Sequence, residues 1–364
     1  MHSRKIAALA FAFSFIAFSV CSAVQNDSEL RLNQIQVIGS HNSYHAGIAP
    51  NEMKIWQAKY PDAFKGLDYH HQPLTQQLDS GVRQIELDIY ADSQGGKFAH
   101  PNGPHMVEAA GLPPDPPFDP DHIMDKPGFK VMHMQDIDYR SNCEPFTACL
   151  KEVRQWSHAH PRHIPVFILV ETKQQAPRPG VQMTVPEPFT ESTFDALDAE
   201  IRSVFPASEI ITPDDVRGHY ETLNEAVLAG NWPTLAHARG KVIFLMDQRP
   251  VGPIYLAGHP SLRGRVLFTN AEPGEPDAAF IERNDGPAAD ITALVTDLHL
   301  PRMDGFQLIA AVRAGSDMPI MVISGDNDPR TLERLVTLGA SAYFPKPYSP
   351  SQVRQRLEEL IDVP

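Results

Sequence analysis

The sequence predicts an α/β fold in which parallel strands alternate with helices, and two observations support this prediction. Short apolar runs recur from residue 35 to residue 268, and most are followed by loop residues and then by a helical pattern. Strands that alternate with helices form parallel sheets joined by right-handed crossovers, and runs this apolar suit strands buried on both faces. The runs are residues 35–38, 82–89, 129–132, 166–170, 241–245 and 265–268.

The segments between the strands predict two helices and one long loop. Apolar residues recur at helical spacing between residues 194 and 205, and a shorter pattern covers residues 223–228. Residues 101–127 contain a cluster of prolines, which excludes regular structure. We therefore expect an ordered loop there, near a site or acting as a lid.

Charge and length limit the function classes. The 364 residues include 31 Lys and Arg against 45 Asp and Glu, which gives a formal net charge of −14. A nucleic-acid binder needs a positive field to collect phosphates, so this class is excluded. The length accommodates either one large barrel or two domains.

The N-terminus predicts a signal peptide at residues 1–23. Two basic residues precede an apolar run at residues 6–20, and small residues follow it. This order is typical of a secretory signal, and the run is short for a membrane span of about 20 residues. We expect a secreted or periplasmic protein, with an uncleaved membrane anchor as the alternative.

Cleavage of the signal would remove one of the three cysteines and leave Cys143 and Cys149. In an oxidising compartment, cysteines at this short separation can form a local disulfide that closes a small loop. Two free buried thiols are the alternative.

Polar and ionisable residues follow the ends of four successive predicted strands. This is the end at which a parallel barrel keeps its active site. Carboxylate and amide oxygens suit a hard cation such as Ca²⁺, and histidines beside such a cation can transfer protons. The residues are His41 and Asn42, then Glu86 and Asp88 on one strand face, then His133 with Asp136 and Asp138, and finally Glu171 with Lys173.

Several ordered motifs together resemble the bacterial calcium-dependent phosphatidylinositol-specific phospholipase C family. The resemblance covers about residues 32–285 and implies a TIM-type barrel. The motifs are Gly-Ser-His-Asn-Ser-Tyr at 39–44, Arg-Gln-Ile-Glu-Leu-Asp at 83–88, Lys-Val-Met-His at 130–133 leading to 136–138, Val-Glu-Thr-Lys at 170–173, Asn-Trp-Pro at 231–233, Phe-Thr-Asn-Ala-Glu at 268–272, and the two cysteines.

The resemblance implies cleavage of phosphatidylinositol at a membrane surface, between diacylglycerol and the head group. The inositol 2-hydroxyl would attack the phosphorus, through a cyclic phosphodiester. The implied roles are a catalytic pair, His41 and His133; calcium ligands Asn42, Glu86, Asp88 and Glu171; a phosphate contact, Lys173; and a disulfide, Cys143 with Cys149.

The nearest rival is the glycerophosphodiester phosphodiesterase family, which shares the barrel and an acid pair on the second strand. That family usually opens with His-Arg-Gly, whereas this chain has His41-Asn42-Ser43. The phospholipase C interpretation is therefore favoured.

A second resemblance begins near residue 285. Residues 291–305, 319–324 and 343–347 resemble the later part of a response-regulator receiver domain, which has a flavodoxin-like fold. The resemblance places Asp297 at the phosphoacceptor position, Ser324 at the phosphoryl-sensing hydroxyl, Tyr343 at the aromatic switch and Lys346 at the conserved lysine.

Neither resemblance is complete. The receiver lacks its first strand, whose acidic pair binds Mg²⁺. Only six or seven of the eight strands of a barrel can be identified in the sequence. We therefore expect a chimera of a signal peptide at 1–23, an incomplete barrel at 24–285 and a receiver-like fragment at 286–364. A response-regulator module phosphorylated on Asp297, with a vestigial phosphorelay partner, is the alternative function.

Two structural outcomes are open for the junction between the two parts. Residues 291–296 could supply the missing closing strand of the barrel, because both folds are built from βα units. Alternatively, they begin a separate three-unit α/β lobe.

Overall fold

A computed structural model describes residues 27–61, 66–176, 183–282, 294–296, 298, 305–314, 316–326, 328–346 and 350–361. The predicted signal peptide lies outside these residues. The chain divides into two compact units, Met1–Ile281 and Glu282–Pro364, and each is described by itself.

The first unit is built on a six-stranded, mostly parallel sheet. Its apolar strands are buried along nearly their whole length, as expected for strands covered on both faces. The predicted α/β class with a parallel sheet is confirmed. The strands are β1 Gln84–Tyr90, β2 Lys130–Val131, β3 Val166–Thr172, β4 Ile210–Ile211, β5 Val242–Met246 and β6 Leu267–Phe268.

The order of the parallel strands is that of a barrel wall. β1 pairs with β3, β3 with β5, and β5 with β6, so these four strands pair in the order in which they occur along the chain. On the other side of β1, Gly39 forms only an isolated parallel bridge to Gln84, so the strand predicted at residues 35–38 is not formed. Within the described residues no ladder returns from β6 to the Gly39 side. β4, too short to predict, pairs with the start of β5.

Helices follow the strands, and the predicted pair are both present. In the longer of the two, Phe194, Leu197 and Ile201 are buried on one face, and Thr190 accepts the capping hydrogen bond from the Thr193 N–H. No described helix is long and apolar enough to cross a membrane. The helices of this unit are α1 Pro50–Lys59, α2 Leu74–Asp79, α3 Gly103–Ala109, α4 Phe146–Ala159, α5 Glu191–Val204, α6 Pro213–Arg217, α7 Leu223–Leu228, α8 Leu235–Ala238 and α9 Gly252–Leu256.

The prediction of a third parallel barrel strand at residues 129–132 is wrong. β2 runs antiparallel to the end of β1, with Ile89 opposite Val131, and β1 pairs directly with β3. The long segment after β1 carries the chain past the end of the sheet, and β2 then runs back. His133 therefore follows an antiparallel strand and not the end of a parallel strand.

The prediction of irregular structure across residues 101–127 holds only after its first turns. α3 occupies the start of this segment, with Pro104 at the beginning of the helix. Proline is tolerated there because the first N–H groups of a helix have no partner inside it. The proline cluster that follows the helix remains without helix or strand.

A local disulfide joins Cys143 to Cys149, with the two Cα atoms 5.1 Å apart. Cys149 lies in the first half of α4, and both residues are buried. The bond ties the loop that follows the β2 region to this helix.

The second unit contains a three-stranded parallel sheet in the order β7 Leu294–Thr296, β8 Ile320–Ser324 and β9 Ala342–Pro345. The helices are α10 Gly305–Arg313, α11 Pro329–Thr337 and α12 Pro350–Ile361. A small core includes Ile309, Ile320 and Leu335. Of the residues proposed to close the barrel, the described ones, 294–296, form β7 and pair with β8 in a separate sheet, so closure of the barrel by this strand is wrong for the described part of the chain.

Candidate active site

The segment after Gly39 places His41 and Asn42 beside β1. A Cβ atom at Gly39 would meet the end of the Gln84 side chain, so a larger residue here would require that side chain to move. Asn42 has a φ of 48°, in the left-handed region that asparagine tolerates. Its backbone N–H donates to Glu86 Oε2 at 3.1 Å, which fixes the loop against the acidic strand.

Three acidic side chains converge on two neighbouring strands. Glu86 and Asp88 share one face of β1, and Asp88 lies opposite Glu171 in the register of β3. One carboxylate oxygen from each residue lies within 4.8 Å of the others. The structure therefore brings together the three acids that the sequence singles out.

The cluster is electrostatically unfavourable when no cation binds it. Burial raises the pKa of Glu86 to about 7, and the neighbouring Glu171 charge adds to this shift. Burial also raises the pKa of Asp88, although Lys173 opposes the change. Like charges in a buried site disfavour ionisation, and a cation reverses the balance.

The residues present fit calcium. Oxygens bound to one Ca²⁺ at about 2.3–2.6 Å lie at most about 5 Å apart, and the carboxylate oxygens meet this limit. The donor set is all oxygen. Asp88 is fully buried, and the Lys173 ammonium contacts its Oδ2. Asn42, the fourth predicted ligand, is buried on the adjacent loop, where its Oδ1 accepts from the Tyr44 hydroxyl at 3.2 Å.

Lys173 lies within the acidic cluster. Its Nζ is 2.8 Å from Asp88 Oδ2 and 2.8 Å from Glu171 Oε1. Burial alone would lower the pKa of Lys173, but attraction to the two carboxylates outweighs this effect and raises it. The ammonium group predicted to contact a substrate phosphate thus contacts carboxylates in this structure.

His133 is oriented by a buried carboxylate. Its Nδ1 lies 2.8 Å from Asp138 Oδ2, and the Nε2 atom of the fully buried His45 lies 2.8 Å from the same oxygen. Burial acts to raise the pKa of Asp138, but hydrogen bonds from both histidines hold it below its ordinary value. Asp138 is therefore an acceptor, and His133 uses Nδ1–H to donate.

His41 stands at the exposed edge of the cluster. Its Nε2 lies 3.9 Å from Glu86 Oε2, and its backbone carbonyl accepts a hydrogen bond from the His71 ring at 2.9 Å. Partial burial lowers the pKa of His41, partly offset by the Glu171 charge. The imidazole is consequently open to a bound substrate while remaining beside the carboxylates.

Sequence reasoning missed three residues around this site. His45 supports Asp138, and its ring lies 4.3 Å from that of Tyr69, which accepts a hydrogen bond from Asn42 Nδ2 at 3.0 Å. No periodic pattern identifies either residue. Asp247, whose charge acts on Glu86 and His41, directly follows β5, so attention to the end of that strand would have found it.

Asp136 has a structural role. Its carboxylate accepts the Asn102 N–H at 3.3 Å and the Thr184 N–H at 2.5 Å. These contacts tie the start of the proline-rich segment to a second loop, and the residue contributes no ligand to the acidic cluster.

The second unit brings three receiver-like residues together at one sheet edge. The Tyr343 hydroxyl donates to the Ser324 carbonyl at 3.1 Å and to the Asp326 carbonyl at 2.7 Å, and the Lys346 N–H donates to the Ser324 carbonyl at 2.9 Å. The Ser324 side chain is buried. Asp297, the predicted phosphoacceptor, lies outside the described residues.

The comparisons find two groups of similar proteins, phospholipases C and response regulators. A calcium-dependent phosphoinositol-specific phospholipase C from Pseudomonas sp. is 16% identical, with 87% of this chain and 91% of that chain covered and a TM-score of 0.43. A Ca²⁺-dependent phosphatidylinositol-specific phospholipase C from Streptomyces antibioticus is 20% identical, with 90% and 96% covered and a TM-score of 0.39.

The receiver-like part matches a chemotaxis protein CheY homolog of Campylobacter jejuni. The two are 29% identical over 75 residues, which is 20% of this chain and 58% of the relative. The chain thus spans just over half the length of this curated relative, and the predicted receiver resemblance is confirmed over a short segment.

A family model supplies the broadest comparison. The model described as phosphoinositide phospholipase C, Ca²⁺-dependent, matches residues 30–340, which includes part of the second unit. A match over most of the chain shows the family, and its members are phosphodiesterases that depend on calcium. The chain belongs to the calcium-dependent phosphoinositide phospholipase C family.

Proposed function

We propose that the protein is a secreted phosphoric diester hydrolase that cleaves phosphatidylinositol at a membrane surface and requires Ca²⁺. One observation carries the proposal: Glu86, Asp88 and Glu171 converge within 4.8 Å, with His41 beside them. A histidine held by a buried carboxylate, His133, completes the set of groups that phosphoryl transfer needs.

The division of roles follows from the contacts of each side chain. Asn42, Glu86, Asp88 and Glu171 would hold Ca²⁺, and the bound ion supplies positive charge that neutralises phosphate oxygens. His41 offers an imidazole N–H to the phosphoryl oxygens from the exposed edge of the cluster. Lys173 is an additional candidate for a phosphate contact.

The first step is an internal transfer. The inositol 2-hydroxyl oxygen bonds to phosphorus while one of the carboxylates, with Glu86 as the candidate, accepts its proton. The bond from phosphorus to the diacylglycerol oxygen breaks, and His133 donates a proton to that oxygen. Asp138 accepts from Nδ1–H of His133, so the transferred proton is the one on Nε2 of the imidazolium, and its loss leaves the ring neutral. Water then opens the cyclic phosphodiester.

The product distinguishes this reaction from that of a glycerophosphodiester phosphodiesterase. With phosphatidylinositol vesicles and Ca²⁺, phosphorus NMR should record a cyclic inositol phosphate, with diacylglycerol in the lipid fraction. Glycerophosphoinositol and glycerophosphocholine serve as competing substrates. Preferential release of glycerol phosphate from these compounds would replace the phospholipase C assignment by the rival.

Export is part of the proposal. The charged, apolar and small-residue order of residues 1–23 supports a secretory signal, and the Cys143–Cys149 disulfide suits an oxidising compartment. N-terminal sequencing of the protein recovered outside the cytoplasm tests this. A new N-terminus near residue 24 is expected, and recovery of uncleaved protein from the membrane fraction would favour the anchor.

A second candidate function belongs to the receiver-like unit. Backbone and hydroxyl contacts hold Ser324, Tyr343 and Lys346 at the ends of β8 and β9, and the receiver resemblance makes Asp297 the proposed phosphoacceptor beside them. Beryllium fluoride with Mg²⁺ should then cause a spectral change that Asp297→Asn abolishes. If the spectrum of the native protein does not change, the proposal that this unit acts in a phosphorelay is wrong.

A further inference from the structure

The Lys173 side chain places its ammonium group between two of the three carboxylates of the acidic cluster. Its Nζ bridges Asp88 Oδ2 and Glu171 Oε1, at 2.8 Å from each, and the side chain is only 13% exposed. We propose that Lys173 is a tethered counterion. Its ammonium group occupies part of the calcium site, and Ca²⁺ must displace this group in order to bind. The inference rests on the proposed calcium-dependent function and concerns the regulation of the same site.

The two cations would compete for the same ligands. Glu86, Asp88 and Glu171 each offer an oxygen within 4.8 Å of the others, and the ammonium already contacts two of the three residues. A Ca²⁺ bound at about 2.3–2.6 Å from those oxygens would lie at most about 5 Å from an ammonium group at 2.8 Å. Like charges at this separation in a largely buried site repel strongly.

The local backbone allows the exchange without a change in fold. The Lys173 N–H donates to the Ile89 carbonyl at 2.9 Å, which anchors the residue to the end of β1. Only the flexible side chain has to move, and the four-carbon stem of lysine permits this. Because the side chain is partly open to solvent, the displaced ammonium can leave the cluster toward the mouth of the site.

The counterion has a use in each state of the protein. Without calcium, the ammonium group contacts two of the buried carboxylates and offsets the repulsion among them. With calcium, it is released beside the site that binds the substrate phosphate, the contact predicted for it from the sequence. Calcium binding therefore requires two ion pairs to break, which lowers the affinity for Ca²⁺.

Calorimetric titration of Ca²⁺ into EDTA-treated, desalted full-length protein tests the competition. In Lys173→Met, the Kd for Ca²⁺ should be at least about tenfold lower than in the native protein, because the competitor and its repulsion are gone. The same change at an exposed lysine, Lys151→Met on α4, should leave the Kd unchanged. An equal or higher Kd in Lys173→Met would overturn the proposal.

A second measurement needs no variant. Acetylation of lysines in the native protein, followed by peptide mass spectrometry, should label Lys173 faster with Ca²⁺ than with EDTA, while Lys151 labels equally in both. Slower or unchanged labelling of Lys173 would overturn the proposal.

The outcomes separate this proposal from the proposed function. If the native protein binds Ca²⁺ and cleaves phosphatidylinositol but Lys173→Met binds no more tightly, only the counterion proposal fails. If calcium binding shows the predicted increase but no phosphatidylinositol is cleaved, only the proposed function fails. If the native protein binds no Ca²⁺, both fail.

Discussion

Asp138 accepts a hydrogen bond from the ring of His133, with Oδ2 2.8 Å from Nδ1. His45, buried behind the carboxylate, contacts the same oxygen. An acceptor at Nδ1 fixes the tautomer and the orientation of an imidazole, and in hydrolytic triads this arrangement sets the reactivity of the other nitrogen. Asp138 is therefore a positioning residue for the proposed general acid.

The substitution Asp138→Asn should lower kcat by about 10²–10⁴ and change KM little, because an amide can donate to Nδ1 and select the wrong tautomer. Steady-state assays on phosphatidylinositol measure both constants, and the pH profile of kcat should change with them. The exposed His122–Asp125 pair provides a matched control, so Asp125→Asn should keep kcat within twofold. Retention of more than a third of kcat in Asp138→Asn would contradict the positioning role.

Removal of either proposed catalytic imidazole should reduce turnover by at least about 10². His41→Ala deletes the group beside Glu86, and His133→Ala deletes the group held by Asp138. Initial rates at saturating substrate and Ca²⁺ provide the measurement, with His122→Ala as the surface control. Native turnover in either variant would rule out the assigned pair.

The substitution Asp88→Asn should weaken Ca²⁺ binding by at least about tenfold, because it removes the charge of a fully buried ligand and keeps the shape. Calorimetric titration gives the Kd directly. Asp125→Asn again serves as the control. A Kd equal to that of the native protein would place the calcium elsewhere.

Stability should depend on pH through Glu144, a partly buried residue outside the site. Burial raises the pKa of this carboxyl to about 8, Asp119 adds to the shift, and Arg140 opposes it. Between its ordinary value near 4.5 and about 8, the folded state therefore binds more protons than the unfolded state. By linkage, the free energy of unfolding contributed by this group falls as pH rises through that window.

The substitution Glu144→Gln removes this titration. We compare the free energy of unfolding of the variant with that of the native protein at each pH. The difference should favour the variant by about 2 kcal/mol more at pH 8 than at pH 5. Urea unfolding at the two pH values measures this, with the exposed Glu108→Gln as the control. A difference that is the same at both pH values would refute the assignment.

The fold could be predicted from sequence where apolar runs were long. β3 and β5 are buried over their length, and their hydrophobicity alone marks them. β2 was given the wrong direction because a two-residue strand carries no signal for the strand it will join. The sequence does not predict α3, because the prolines of this segment indicate a loop, although proline is tolerated in the first turn of a helix.

The acidic residues of the site could be predicted from the strand pattern, but the contacts of His133 and Lys173 could not. Glu86 and Asp88 share a strand face by the two-residue period, and the ends of parallel strands gather Glu171 beside them. The support of His133 by Asp138 and His45 depends on a returning loop whose path no local pattern specifies. The contact of Lys173 with two carboxylates likewise depends on side-chain direction, which sequence spacing does not determine.

The release of inositol phosphate from phosphatidylinositol vesicles, measured with Ca²⁺ and again with excess EDTA, tests the central claim most directly. The account predicts release with calcium, none with EDTA, and full recovery when calcium is restored. Equal release in EDTA, or no release at saturating calcium from correctly folded protein, would contradict it.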